Sequence, residues 1–384
     1  MRLLHTGDWH IGRTIRGRSR IDEFSSALDE LIDVASDEAV DAVVIAGDIF
    51  DQRAVTPDAD RLVFETFVRL HSLGIPMVCI PGNHDSAARL EALSVLLERV
   101  GVHVGARVRP PGAGGIVDVA ARDGSTRARI ACLPFASPRR FADAAADFED
   151  LARGYIAFDD GFGKLLAAYE SSFAADAINL VLGHFFVSGA VPGGGERQIT
   201  LGADYAVSPG RLPATASYVA LGHIHRPQAV RGAPGPARYC GSLLQLDFGE
   251  REQAKSVVVV DATPGRRART TLVPITAGRS LRDVTGTIEE LEKVAPEIGD
   301  TYLRVVVSVE RPLPGIADRV RELLPTALDV RLEYERDESA QPHRALRSLD
   351  PREQFVTYYN DHHGVSPSDE LLTAFARVAE EVTV

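Results

Sequence analysis

The sequence predicts an α/β protein built on parallel strands with crossover helices, followed by a smaller α+β unit. Two observations carry this reading. Short apolar runs alternate with amphipathic stretches through the first hundred residues, and each run ends at once on a polar residue. In sheets wound this way, ligands sit at the carboxyl ends of the strands.

The elements follow in order. Met1–Thr6 reads as a strand ending at Gly7-Asp8, and Asp22 to about Glu38 as a helix with Phe24, Ala27, Leu28 and Leu31 at helical spacing. Ala42–Ala46 is an apolar run ending at Gly47-Asp48, and Pro57–Leu73 is a helix with proline in its first turn. Ile75–Ile80 is a third run, ending at Pro81-Gly82, and a helix starts near Ser86. Short strands and Gly/Pro turns occupy 102–133, and Gly161–Ala174 is helical. Asn179–Leu182 and Tyr218–Leu221 are strands ending at Gly183-His184 and Gly222-His223; Ser256–Val260 and Thr270–Val273 close the sheets. Beyond Ala277, a helix over Thr285–Val294, a strand over Tyr302–Val309, a helix over Ile316–Leu324 and a strand over Val330–Tyr334 form the smaller unit. A polar linker and two short helices complete the chain. The expected division is 1–276, 277–335, a linker at 336–349, and 350–384.

Bulk properties narrow the function. With 384 residues and 45% apolar composition, the chain can bury more than one core. A formal net charge of −12 argues against coating DNA through bulk positive charge, so a nucleic-acid substrate needs a local basic patch or a basic partner. Cys79, Cys132 and Cys240 are too sparse for a disulfide framework and suit a reducing cytoplasm. No apolar stretch has the ~18–20 residues of a membrane span.

Five motifs fall at strand ends: Asp8-Trp9-His10, Gly47-Asp48, Gly82-Asn83-His84-Asp85, Gly183-His184 and Gly222-His223-Ile224-His225. Singly, Asp-x-His or Gly-Asp recurs by chance; together, each closing an apolar run, they form a strong signal. Two divalent metals ~3.5–4 Å apart clamp a phosphate and activate water. A carboxylate must bridge them, and Asp48 is the candidate, with imidazoles, a second carboxylate and the neutral oxygen of Asn83 completing the shells. Such mixed ligation suits Mn²⁺, Fe²⁺, Zn²⁺ or Ni²⁺. A lone strand-end histidine is more often structural, and His5, inside the first strand, is read that way. Trp9 either packs beneath the metals or touches substrate.

These motifs resemble the calcineurin-like metallophosphoesterases, which implies a four-layer α/β/β/α sandwich. The resemblance implies that Asp8, His10, Asp48 and His225 hold one metal, and that Asp48, Asn83, His184 and His223 hold the other. It makes His84 a catalytic group over the substrate phosphate rather than a ligand, oriented by Asp85. It favours two Mn²⁺, with Mg²⁺, Fe²⁺ or Zn²⁺ as alternatives.

Local sequence narrows the likeness. His5–Gly12, Ala46–Asp51, Gly82–Ser86, Ala220–His225, Gly241-Ser242 and Leu246–Glu250 look like the SbcD family of bacterial nuclease subunits, and the resemblance runs over essentially the whole chain. It implies a DNA double-strand 3′–5′ exonuclease and single-strand and hairpin endonuclease. The expected partner is an SbcC-type ABC ATPase, in double-strand-break repair, recombination and replication. It further implies a homodimer within a heterotetramer, in the cytoplasm at the nucleoid, with no membrane. Asp51 stands where archaeal and eukaryotic relatives often carry histidine, so no phosphate-contacting role of that histidine passes to it. Strand polarity, dimer face and physiological metal are not legible from the residues themselves.

Arg13, Arg16, Arg18 and Arg20 follow the first motif with no acid among residues 11–20; a flexible DNA-contacting loop and a solvated surface loop fit equally. Residues 277–335 match the family's capping, DNA-guiding unit in size. In the tail, Phe355, Tyr358 and Tyr359 share one helix face, and Leu371, Leu372 and Phe375 stripe the next. These helices either dock on the chain itself or, as the resemblance favours, on the coiled-coil base of the ATPase. No GxxxxGK[ST] loop is present, so any ATP dependence comes from the partner. Val187–Arg197 is Gly-rich and reads as a mobile loop at the site. The rival readings are a stand-alone small-molecule phosphodiesterase of the same superfamily and a non-catalytic scaffold. The His84-Asp85 pair argues against the latter.

Overall fold

The buried strands feed a different core from each face. In the computed structural model, Leu4, Val43, Ile45 and Met77 pack with Phe24, Leu28, Leu31, Val63 and Phe67 of two helices. Their neighbours Leu3, Val44 and Val78 point the other way, against Ile130, Leu180, Leu182 and Tyr218 of a second sheet. Alternation along a strand places successive side chains on opposite faces, so strands apolar throughout belong between two layers. Residues 1–136, 158–196, 206–310, 315–334, 351–363 and 366–382 are described.

The first sheet runs in the order Arg269–Ile275, Lys255–Asp261, Arg2–Thr6, Ala42–Ile45, Met77–Cys79, Val102–Val104. Its last four strands are mutually parallel, and Lys255–Asp261 pairs antiparallel with Arg2–Thr6. The second sheet runs Gln228–Ala229, Ala237–Tyr239, Tyr218–Gly222, Ile178–His184, Arg127–Leu133, Ile116–Ala120. Helix Phe158–Glu170 covers its outer face through Phe162, Leu165, Leu166 and Tyr169. Helices Ile21–Asp37 and Pro57–Ser72 cover the first sheet. The result is the α/β/β/α sandwich the motifs imply.

Local sequence accounts for several boundaries. Thr56 caps the helix that opens on Pro57, accepting from the Ala59 N–H. Ser86 caps Ala87–Leu97 in the same way. Helix Ile288–Val294 begins with a full capping box between Thr287 and Glu290, later than the expected Thr285. Before it lies a strand not foreseen from sequence, Leu281–Gly286. Only its end residues are buried, so it carries no period-two signal; pairing with Tyr302–Ser308 makes it a strand. Ala327–Glu333 completes this third sheet.

By compactness the chain divides into Met1–Val306 with Ala317–Arg331, and Val307–Ile316 with Leu332–Val384. Much of the expected capping unit therefore packs with the first 276 residues. The expected linker at 336–349 lies outside the described residues. Helices Pro351–His363 and Asp369–Val382 pair, with Phe355 stacked on Phe375 at 4.2 Å between ring centroids. Among the described residues no helix is long and apolar enough to cross a membrane. Cys79, Cys132 and Cys240 are free thiols in the core.

Candidate metal centre

The motifs meet because the parallel strands of both sheets end at one place. Asp8 and His10 follow Arg2–Thr6, Asp48 follows Ala42–Ile45, and Asn83 follows Met77–Cys79. From the second sheet, His184 ends Ile178–His184, and His223 and His225 follow Tyr218–Gly222. Asp8, His10, Asp48 and His223 all take positive φ, between 48° and 97°, a region side chains other than glycine rarely occupy. Strain at four site residues is held by close packing. A Cβ on Gly82 would lie 2.1 Å from Oδ1 of Asp48, and one on Gly47, at φ +88°, 2.5 Å from Nδ1 of His184.

All seven expected ligands are at most 6% exposed. They fall into two subsets joined by Asp48. Nε2 of His10 lies 3.1 Å from Nε2 of His225, and Asp8, His10 and His225 each offer an atom within 4.8 Å of the others. Oδ1 of Asn83 lies 3.1 Å from Nε2 of His184 and 2.9 Å from Nδ1 of His223. Between them, Oδ2 of Asp48 is 3.6 Å from Nε2 of His10 and 3.4 Å from Nε2 of His184. Asp8 and Asp48 also group with His184.

The donors fit cations better than they fit one another. His225 Nδ1 is 2.9 Å from a Glu250 carboxylate oxygen, and His10 Nδ1 faces an Asp51 carboxylate oxygen at 3.4 Å. Each carboxylate calls for the ring proton on Nδ1. With both rings neutral and protonated on Nδ1, the two Nε2 lone pairs face each other across 3.1 Å, and a cation between them satisfies both. His184 similarly turns Nδ1 to the carbonyl of Ala46 at 2.7 Å and its other nitrogen inward. Burial pushes His10 down to about 4, so its imidazole is neutral and ready to bind metal at pH 7. Burial pushes the Asp8 carboxyl up to about 6; His184 and His225 oppose this and Asp48 adds to it. A centre for two metals accounts for two buried carboxylates so close together.

His84 sits at the edge, with its ring 4.6 Å from that of His10. His10, Asp48 and His84 also lie within metal-binding reach of one another, so distance alone does not separate His84 from the ligands. The expected orienting role of Asp85 needs correction. Nδ1 of His84 meets the backbone oxygen of Asp51 at 2.6 Å. The Asp85 carboxylate instead accepts the backbone N–H groups of Ile49, Phe50 and Gly82 at 2.9–3.1 Å. Asp85 thus ties the loop after Asp48 to its own loop, because three converging N–H groups bind a carboxylate better than one imidazole. A cleft of about 730 Å³ opens beside His84, lined also by Arg13, Asp51 and Arg53.

The arginine stretch is not a flexible loop. It forms a hairpin, Thr14–Ile15 with Arg18–Ser19. Arg20 is 2% exposed and donates to Glu23 and the carbonyl of Gln245, which removes it from any DNA surface. Arg16 pairs with Asp329 at 2.9 Å, and the Arg18 guanidinium lies 5.5 Å from the Tyr302 ring centroid. Arg13 reaches the cleft, paired with Asp51 at 3.2 Å. Trp9 is fully buried, donating to Thr6, and so packs rather than meets substrate. In the tail, Phe355, Phe375 and Tyr359 cluster, while Tyr358 is 56% and Leu371 36% exposed; Leu372 is half-buried. Sequence reasoning gave no role to Glu196, Glu250 or Lys255. For Lys255 the only available signal was its rarity, as one of three lysines in the chain.

A sequence profile described as calcineurin-like phosphoesterase matches residues 1–227. The chain is 33% identical to the SbcD component of the nuclease SbcCD from Bacillus subtilis (strain 168), over all of this chain and 98% of that one. It belongs to the SbcD family of calcineurin-like phosphoesterases. Two further members of the SbcD family carry the same name. That of Rhodobacter capsulatus is 32% identical over 89% of both chains, and that of Escherichia coli (strain K12) is 30% identical over 84% of this chain and 82% of the other. A second profile, described as type 5 capsule protein repressor C-terminal domain, matches residues 277–363 of this SbcD-family chain.

Proposed function

We propose that this chain is a metal-dependent DNA nuclease: a double-strand 3′–5′ exonuclease and a single-strand and hairpin endonuclease. It works with an SbcC-type ATPase in the repair of double-strand breaks and the processing of hairpins. One observation carries the reading. Seven buried donors converge on a centre for two metals, beside a cleft that His84 shares with Arg13 and Arg53. The relatives' names supply the nuclease and its complex.

Asp8, His10, Asp48 and His225 hold one ion and Asp48, Asn83, His184 and His223 the other, with Mn²⁺ the proposed metal. When bound, the ions supply Lewis acidity to the scissile phosphate. His84 does the protein's share of the chemistry. Its Nδ1 proton is committed to the Asp51 carbonyl, so the imidazolium form, which carries a second proton at Nε2, gives that proton to the leaving oxygen. Arg13 and Arg53 hold the flanking phosphates, a local basic patch on a chain of net charge −12. Residues 277–335 guide DNA, and 350–384 bind the coiled-coil base of the ATPase. The complex is a heterotetramer built on a dimer of this chain, in the cytoplasm.

The deciding experiment is Mn²⁺-dependent cleavage of a labelled DNA hairpin, with and without the ATPase and ATP, using His84→Ala as control. Cleavage that vanishes in the variant and grows with partner and ATP establishes the reading. Brisk hydrolysis of a small phosphodiester, with DNA untouched under every condition, favours the stand-alone phosphodiesterase.

A further inference from the structure

The Gly-rich stretch after His184 and the outer side of His225 meet at one point. Glu250 is fully buried and turns Oε1 to Nδ1 of His225 at 2.9 Å. Its other oxygen is held by Nζ of Lys255 at 2.7 Å and the Leu246 N–H at 3.0 Å. The buried Lys255 ammonium also reaches the His225 carbonyl at 3.0 Å. On the other side, Glu196 accepts the His225 backbone N–H at 2.8 Å and those of Gly193 and Gly194 at 2.6 and 2.7 Å. A Cβ on Gly195 would stand 2.5 Å from Oε1 of Glu250 and 2.8 Å from Nδ1 of His225. Residues Gly193–Glu196 of the Gly-rich stretch are therefore packed against the His225–Glu250 contact, while Val191 is exposed; Arg197 lies outside the described residues.

We propose that Glu250, locked by Lys255 and covered by Gly195, is a positioning residue for His225 and sets the affinity of one metal position but not the other. This rests on the two-metal reading above. A carboxylate acceptor on Nδ1 fixes the tautomer, aims the Nε2 lone pair inward and makes the ring a stronger donor. Lys255 balances the buried charge and holds the carboxylate by its far oxygen, so Oε1 stays aimed at the ring. The selectivity follows from geometry. His184 takes its outer contact from the Ala46 carbonyl and His223 turns Nδ1 to Asn83; neither touches Glu250. Glycine at 195 is then a requirement of packing, because any side chain there parts the two groups.

The test is calorimetric titration of Mn²⁺ into the metal-free full-length protein, with the electron paramagnetic resonance signal of the coupled ion pair as second readout. The variants are Glu250→Gln with Lys255→Met, which removes both buried charges at similar volume, and Gly195→Ala. Gly210→Ala, at a position with open space around it, is the control. Wild type and control take up two ions. Each variant is expected to bind one of them about 10–100-fold more weakly and lose the coupled signal, with the other affinity unchanged. Folded variants that bind both ions as wild type does overturn the proposal. So does equal weakening of both positions, which means general loosening. Should the double variant misfold, Gly195→Ala decides. A wild type that takes up fewer than two ions sinks the metal-centre reading instead.

Discussion

Nδ1 of His84 lies 2.6 Å from the backbone oxygen of Asp51. A carbonyl only accepts, so the ring proton is on Nδ1 and the orientation of His84 does not depend on the side chain at position 51. His84→Ala should lower the rate of Mn²⁺-dependent DNA cleavage by about 10²–10⁴-fold, with both ions still bound. Asp51→Asn should cost less, about 10–100-fold, because it alters the outer carboxylate that faces His10 and pairs with Arg13 but leaves the carbonyl that holds His84. Single-turnover rates on one hairpin substrate separate the two. Equal losses would mean that Asp51 acts through its carboxylate.

Asp48 joins the two donor subsets, at 3.6 Å from His10 and 3.4 Å from His184. Asp48→Ala should remove both ions, whereas Asn83→Ala should weaken only one. Metal content by mass spectrometry after gel filtration measures this. One ion retained in Asp48→Ala would show that the carboxylate does not bridge.

Chelation should destabilise the protein, because Asp8 and Asp48 are buried together with no lysine or arginine paired to either among the described residues. An ion present at a hundredfold excess over its dissociation constant adds about 2.7 kcal/mol of stability. Thermal unfolding with and without a chelator should show a clear fall in midpoint. An unchanged midpoint would remove the argument that the donors await cations.

The four arginines after the first motif should part into two classes. Arg20→Ala removes a buried guanidinium from Glu23, which keeps the Tyr302 hydroxyl and the Arg279 N–H, and from the carbonyl of Gln245, and should cost about 1–3 kcal/mol of stability. Arg13→Ala should leave stability nearly unchanged, weaken DNA binding and reduce the slope of affinity against salt by about one. Fluorescence anisotropy over a salt series reads the second effect and urea unfolding the first.

In the tail, Phe375→Ala removes the ring stacked on Phe355, so the helix pair should loosen and the affinity for the ATPase fall. Tyr358→Ala removes an exposed ring and should weaken the same binding with the helix pair intact. Calorimetry with the partner and circular dichroism of each variant distinguish these outcomes.

The sandwich was legible because its strands are unmistakable. Ala42–Ile45 and Leu180–Leu182 are buried on both faces and so read as unbroken apolar runs, each followed within three residues by a site residue. The strand Leu281–Gly286 was not legible, because pairing with its neighbour rather than a buried face makes it a strand. The arginines misled for a related reason. Arg16 is on the surface as expected, but its charge is met by Asp329 of a distant strand; Arg20 is buried because Glu23, just beyond the acid-free stretch, and the carbonyl of Gln245 hold it.

By itself the sequence determined the donor set and its order, because ligand types and the glycines that let them crowd together are local choices recorded in short motifs. Tertiary structure alone decided the outer contacts: Asp51 rather than Asp85 on His84, and Glu250 with Lys255 behind His225. Those contacts join residues 25 and 33 positions apart through loops on different strands. No local pattern encodes which carboxylate or carbonyl a ring nitrogen meets once two sheets have packed face to face.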